Sequence, residues 1–194
     1  MEARIAPVQF EEWPDEVTGA IPAIEGSKQP ARSGRRAADQ RGRNALGVLA
    51  HHPGLARSWM QFTAQILRKS TLSERQRELL ILRVAVVRKS QYQWVEHVPI
   101  ARRCGLDDGE IARIAFGPDA PFWSPIDRSL LRAADELLTE RDVSDPTWRS
   151  LAGELSPSQL LDAIFTVAAY DTNCLMARAC RIGPDVSISE EPDD

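Results

Sequence analysis

Residues 78–97 read ELLILRVAVVRKSQYQWVEH, from Glu78 to His97. The capping box Ser73-Glu74-Arg75-Gln76 stands just before them, and the apolar residues from Leu79 to Val87 predict a largely buried helix that Glu78 enters among apolar neighbours. Ser90-Gln91-Tyr92-Gln93 fits a second capping box, which opens a helix through Trp94, Val98 and Ile100 to Cys104, with Gly105 as its stop. The break at Arg88-Lys89 makes the two segments an antiparallel helix hairpin if they pack on each other.

Working outward, the chain reads as helix after helix, with no clear strand run, so the expected fold class is all-α. Upstream, Leu55, Trp59, Phe62, Ile66 and Leu67 gather on one helical face behind the start signal Pro53. Downstream, Asp107 or Asp108 is placed to cap a short helix closed by Gly117-Pro118. Pro125 starts a longer one carrying Leu130, Leu131, Ala134, Leu137 and Leu138. The last helices are DPTWRSLAGEL and the long run after Ser156-Pro157. LSERQRELLILRVAVVRKSQ and LSPSQLLDAIFTVAAYDTNC share a cap, an apolar run and a polar exit, which leaves duplication and chance similarity both open.

The 194 residues are enough for one substantial core, and one helical domain is expected over 44–184. Residues 1–43 hold Pro7, Pro14, Pro22 and Pro30 and read as an irregular extension; residues 185–194 read as an acidic tail. The basic string Arg32, Arg35, Arg36, Arg41 and Arg43 suits either a solvated loop or an anionic ligand or neighbouring subunit. A net charge of -4 argues against nucleic-acid partners. No apolar run approaches the roughly 20 residues of a membrane span, and MEARIAPVQFEEW lacks the order of a secretion signal, so no membrane partner and a cytoplasmic location are expected. Cys104, Cys174 and Cys180 have no CxxC spacing and suggest buried thiols rather than a disulfide or zinc scaffold.

On a helix starting near Ser90, the side chains of Ser90, Gln93 and His97 project from one face, and antiparallel packing brings Glu78, nineteen residues before His97, level with it. A carboxylate that orients and charge-stabilises an imidazole suits proton transfer near neutral pH. The same spacing also fits a structural hydrogen bond. Ser90 and Gln93 are equally explained as caps, and Tyr92 and Trp94 as packing residues.

The motif Glu78-x11-Ser90-x2-Gln93-x3-His97 has the spacing of E-x11-C-x2-C-x3-H, and with LAHHPGLARSW, RELLILRVAVV, YQWVEHVPIARRCGL and LLRAADELL it resembles the carboxymuconolactone decarboxylase and alkylhydroperoxidase D superfamily. The resemblance runs from about Asn44 to Gly183 and implies an alkylhydroperoxidase D-like helical bundle built around antiparallel hairpins. In the peroxidase branch the two motif cysteines carry the redox chemistry. Ser90 and Gln93 stand in their places here, so a cysteine-dependent peroxidase or antioxidant activity is disfavoured.

The decarboxylase branch needs no cysteines. Its likeness implies a lyase or isomerase of aromatic catabolism, without metal or organic cofactor, acting on a small lactone or carboxylated metabolite. His97 would be the general acid or base, Glu78 its orienting partner, and Ser90, Tyr92, Gln93 and Trp94 the substrate-binding wall. That branch often carries Tyr-Glu-Trp where this chain has Tyr92-Gln93-Trp94, which removes a possible base. A non-catalytic metabolite-binding or oligomeric scaffold is the other reading. The resemblance further implies a homo-oligomer, trimeric or hexameric, for which Trp13, Trp59, Trp123 and Trp148 offer interface or core aromatics. His51-His52 reads as a helix start before a metal pair, and Tyr170, Asp171 and Asn173 read as packing and capping before pocket lining.

Overall fold

The computed structural model describes residues 2–21 and 42–185. Among them the regular elements are all helical: after a 3-10 turn at Phe10–Glu12 come α1 (Asp15–Thr18), α2 (Arg43–Leu49), α3 (Pro53–Arg68), α4 (Glu74–Val87), α5 (Gln91–Arg103), α6 (Asp108–Ile114), α7 (Pro125–Thr139), α8 (Asp145–Ala152) and α9 (Pro157–Cys180). No helix is long and apolar enough to cross a membrane among the described residues. Pro22, Pro30, Arg32, Arg35, Arg36, Arg41 and the tail beyond Asp185 lie outside them.

The helix starts follow from side-chain chemistry. Ser73, Asp107 and Ser156 each form complete capping boxes with Gln76, Glu110 and Gln159. Ser90 accepts from the Gln93 amide, but the Gln93 side chain does not return the bond, so only half of the expected second box forms. The repeat-like likeness of α4 and α9 extends to their complete caps. It ends at the exits: α4 stops at Val87, where Lys89 turns the chain at φ 53°, while α9 runs on through Cys180.

α4 is the central helix and is buried nearly all round, with Leu79, Leu80, Ile81, Leu82 and Val84 sealed in the main core. It packs against α5, α7 and α9. Three of its flanking arginines pin the surrounding helices. Arg75 bridges Glu110 of α6 and Asp127 of α7, Arg83 forks onto Asp135 at 2.6 and 2.8 Å, and Arg88 forks onto Asp171 of α9 at 2.5 and 3.2 Å. Gly117, at φ 81°, lies against the Arg83 guanidinium, and a Cβ there would fall 2.6 Å from it.

Residues 2–21 are held to this body by their own small core, in which Trp13 and Val17 pack with Leu49, Ala50, Ala56 and Met60. Gly47 lets this arm approach α2: an added Cβ would stand 2.8 Å from the Val8 carbonyl oxygen. Trp13, Trp59 and Trp123 spend their indole N–H groups internally, on the Val8 carbonyl, Asn173 and the Gly117 carbonyl, whereas Trp148 is exposed.

Candidate active site

The α4–α5 hairpin brings Glu78 and His97 together. Glu78 Oε2 lies 2.8 Å from His97 Nδ1, with the two residues 1% and 8% exposed. With Glu78 ionised the carboxylate accepts the Nδ1–H, which fixes the ring's tautomer and leaves the Nε2 lone pair for chemistry. Nε2 makes no hydrogen bond among the described residues and keeps a small accessible area. Tyr170 of α9 stands edge-on to the imidazole, ring centroids 4.9 Å apart at 88°, and fixes its plane. Burial and the Glu78 charge push the Tyr170 phenol well above its ordinary value, so it stays protonated. Pro99, inside α5 two residues beyond His97, removes one backbone donor from the helix at the site.

The other residues expected at the site divide. Ser90 and Gln93 are buried on the His97 side of α5, at 2% and 5% exposure. Burial pushes the Cys174 thiol up to about 11, and the nearby Ser90 hydroxyl opposes that rise. Trp94 is partly buried and packs against the main core. Tyr92 turns the other way. It packs with Val48, Ala177 and Ile182 in a separate cluster, and its hydroxyl donates to Asp185 at 3.5 Å. A five-residue offset on a helix points Tyr92 about 140° away from His97.

The remaining candidates take structural roles. His52 Nδ1 caps α3 by accepting from the Leu55 amide, and His51 Nε2 pairs with the Ala6 carbonyl at 2.8 Å. No group of three His, Cys, Asp or Glu side chains is arranged to hold a metal ion among the described residues. Asp171 is committed to Arg88, and Asn173 to Trp59. Burial raises Cys104 as well, aided by the Glu78 and Glu74 charges.

Sequence reasoning passed over Arg77, which stands beside Glu78 with its side chain 9% exposed and its Nε 3.8 Å from Glu78 Oε1. The only signal was an Arg-Glu pair directly before a continuous apolar run. Two surface clefts of about 320 and 230 Å³ lie elsewhere, one beside Asp15, Arg57 and Gln61, the other beside Phe10, Trp13 and Arg43.

The site is thus a buried carboxylate–imidazole pair held between two helices of an all-helical bundle. Residues 53–136 match the Carboxymuconolactone decarboxylase family. Over these residues the chain is similar to that family, and its helical fold is similar to those of AhpD-like proteins.

The fold is similar to that of an uncharacterised peroxidase-related protein with an AhpD core from Ralstonia eutropha: TM-score 0.73 at 18% identity, covering 94% of this chain and 92% of that one. The debrominase Bmp8 is similar at TM-score 0.72 and 15% identity, covering 95% and 93%. A cysteine-to-alanine variant of Bmp8 is known in complex with 2,3,4-tribromopyrrole. A protein of unknown function from Agrobacterium tumefaciens, assigned provisionally to AhpD-type antioxidant defence, is similar at TM-score 0.67 and 19% identity, covering 72% and 96%. No curated protein matches the sequence.

Proposed function

We propose that this protein is a carboxymuconolactone decarboxylase-like lyase or isomerase that acts on a small unsaturated lactone or related carboxylated metabolite by proton transfer at His97. The observation that carries the reading is the 2.8 Å contact between Glu78 Oε2 and His97 Nδ1, closed off from solvent. Glu78 holds the imidazole in one tautomer and stabilises the imidazolium formed when Nε2 takes a proton from carbon. In isomerisation Nε2 then returns that proton at the other end of the conjugated system. In decarboxylation the carbon–carboxylate bond breaks, carbon dioxide leaves, the bond's electron pair passes into the lactone conjugation, and the imidazolium supplies the proton that the carbon skeleton takes up. Tyr170 keeps the ring from rotating between the two transfers.

The AhpD-type peroxidase alternative draws no support from the thiols near this pair. Cys174 remains protonated at neutral pH, and the thiolate is the form that attacks peroxide. We also propose that the protein works as a trimer or hexamer of its own chain. An exposed apolar stripe along α9, with Leu161, Phe165 and Leu175 at 56%, 47% and 71% exposure, supports self-association.

The reaction class is tested by incubating the protein with small unsaturated lactones in deuterated water and following carbon-bound protons by NMR. Exchange into the position conjugated with the lactone carbonyl is expected, faster than in buffer and dependent on His97. Absence of exchange across a panel of such lactones would remove the proton-transfer reading.

A further inference from the structure

Arg77 is buried at the start of α4 and has no hydrogen-bonded acceptor for its guanidinium among the described residues. Arg75, Arg83 and Arg88, by contrast, each bond an aspartate. A guanidinium stays charged and carries five N–H donors, so leaving them unmet in a protein interior is unfavourable. Its nearest carboxylate oxygen, Glu78 Oε1, lies 3.8 Å from Nε, beyond hydrogen-bond reach, and is itself buried without a partner. Nε is sealed, while the two terminal nitrogens, which also lack partners, keep a little accessible area.

The surroundings make this an incomplete site rather than an isolated defect. The Arg77 charge reaches the Tyr170 hydroxyl, where it opposes that of Glu78. One turn before Tyr170 on the same face of α9, Thr166 is 0% exposed and its hydroxyl is also unpartnered. Unmet donors and acceptors therefore lie on Glu78, beside it on Arg77, and one turn from Tyr170, and Glu78 and Tyr170 are the residues that contact the His97 ring.

We propose that Arg77 is the anion anchor of this site and clamps the carboxylate of a small unsaturated acid through its two terminal nitrogens. The proposal rests on the reading of Glu78 and His97 as the reacting pair and names the substrate class for them. A planar carboxylate matches the guanidinium fork. Glu78 already offsets the Arg77 charge, so a monoanionic group suits the site better than a dianionic phosphate, which the Glu78 carboxylate would repel.

The test is thermal unfolding and isothermal titration of the full chain with maleate, using dimethyl maleate as the neutral counterpart. Wild type should show a saturable rise in unfolding midpoint with maleate and none with the ester. Arg77→Met removes the fork and should lose the maleate response; it also takes from Glu78 the charge 3.8 Å away, so a lowered ligand-free midpoint is expected of it. Arg77→Lys keeps the charge without the fork and should bind maleate about tenfold more weakly. His97→Ala should retain binding. Maleate binding that survives in Arg77→Met, no saturable binding by folded wild type, or undiminished binding by Arg77→Lys would each overturn the proposal. If Arg77→Met does not fold, Arg77→Lys decides between the two results. Arg77-dependent maleate binding by a protein that turns over no lactone would retain the anchor and reject the lyase reading.

Discussion

Glu78 and His97, nineteen residues apart in sequence, meet at 2.8 Å because α4 and α5 fold back on each other around Lys89. His97→Ala should lower lactone turnover by about 10²–10⁴-fold, the usual contribution of a general acid or base. Glu78→Gln keeps a hydrogen-bond acceptor but loses the charge that stabilises the imidazolium. It should reduce kcat with little change in KM, measured by steady-state kinetics on folded variants.

Ser90 and Gln93 occupy the two cysteine positions of the peroxidase motif. The double change Ser90→Cys with Gln93→Cys should therefore confer hydroperoxide reduction in the presence of a dithiol. Of the two introduced thiols, the one at the start of α5 is favoured as the thiolate by the helix N-terminus. Wild type should consume no hydroperoxide. Coupled peroxide assays distinguish the two.

Cys174 is pushed up to about 11 by burial, so its thiolate is scarce at neutral pH. Alkylation in the native state should be slow at pH 7 and rise about tenfold per pH unit until the protein unfolds or the pH nears that value. Ser90→Ala removes the contact that lowers the thiol's pKa and should slow alkylation further. Mass spectrometry of iodoacetamide-treated protein reads the site directly.

Glu136 accepts from the Ser144 amide, the Ser144 hydroxyl and the Thr147 hydroxyl, and so ties α7 to the start of α8. Burial opposes its ionisation, but these bonds outweigh burial and hold it below the usual carboxylate value. A lowered folded-state value means the unfolded chain binds the proton more readily. The stabilisation is then complete above pH 4.5, the ordinary value, and is lost as the pH falls below it. Glu136→Gln should cost about 1 kcal/mol at pH 7 and less in acid, as read from urea unfolding at several pH values.

The helix starts are legible in the sequence because they depend on local chemistry: Ser73 with Gln76, Ser156 with Pro157 and Gln159, and Pro125 are short-range signals that survive in the fold. The Glu78–His97 meeting is legible because a hairpin and helical spacing suffice to set it. Tyr92 is not, since its orientation is decided by Val48 and Asp185, far away in sequence. Arg77 is hidden for a related reason. An arginine in a first helical turn reads as solvated, and only packing against neighbouring helices seals it. The arm at 2–21 contains only single-turn helices, so its attachment depends on where Trp13 and Val17 find apolar partners.

The most direct test is turnover of carboxymuconolactone, followed by ultraviolet absorbance and carbon dioxide release in wild type, His97→Ala and Glu78→Gln. A wild-type rate well above buffer that falls at least about 10²-fold in His97→Ala, and also falls in Glu78→Gln, is the predicted result. A folded wild type without turnover, or a rate unchanged in His97→Ala, would contradict it.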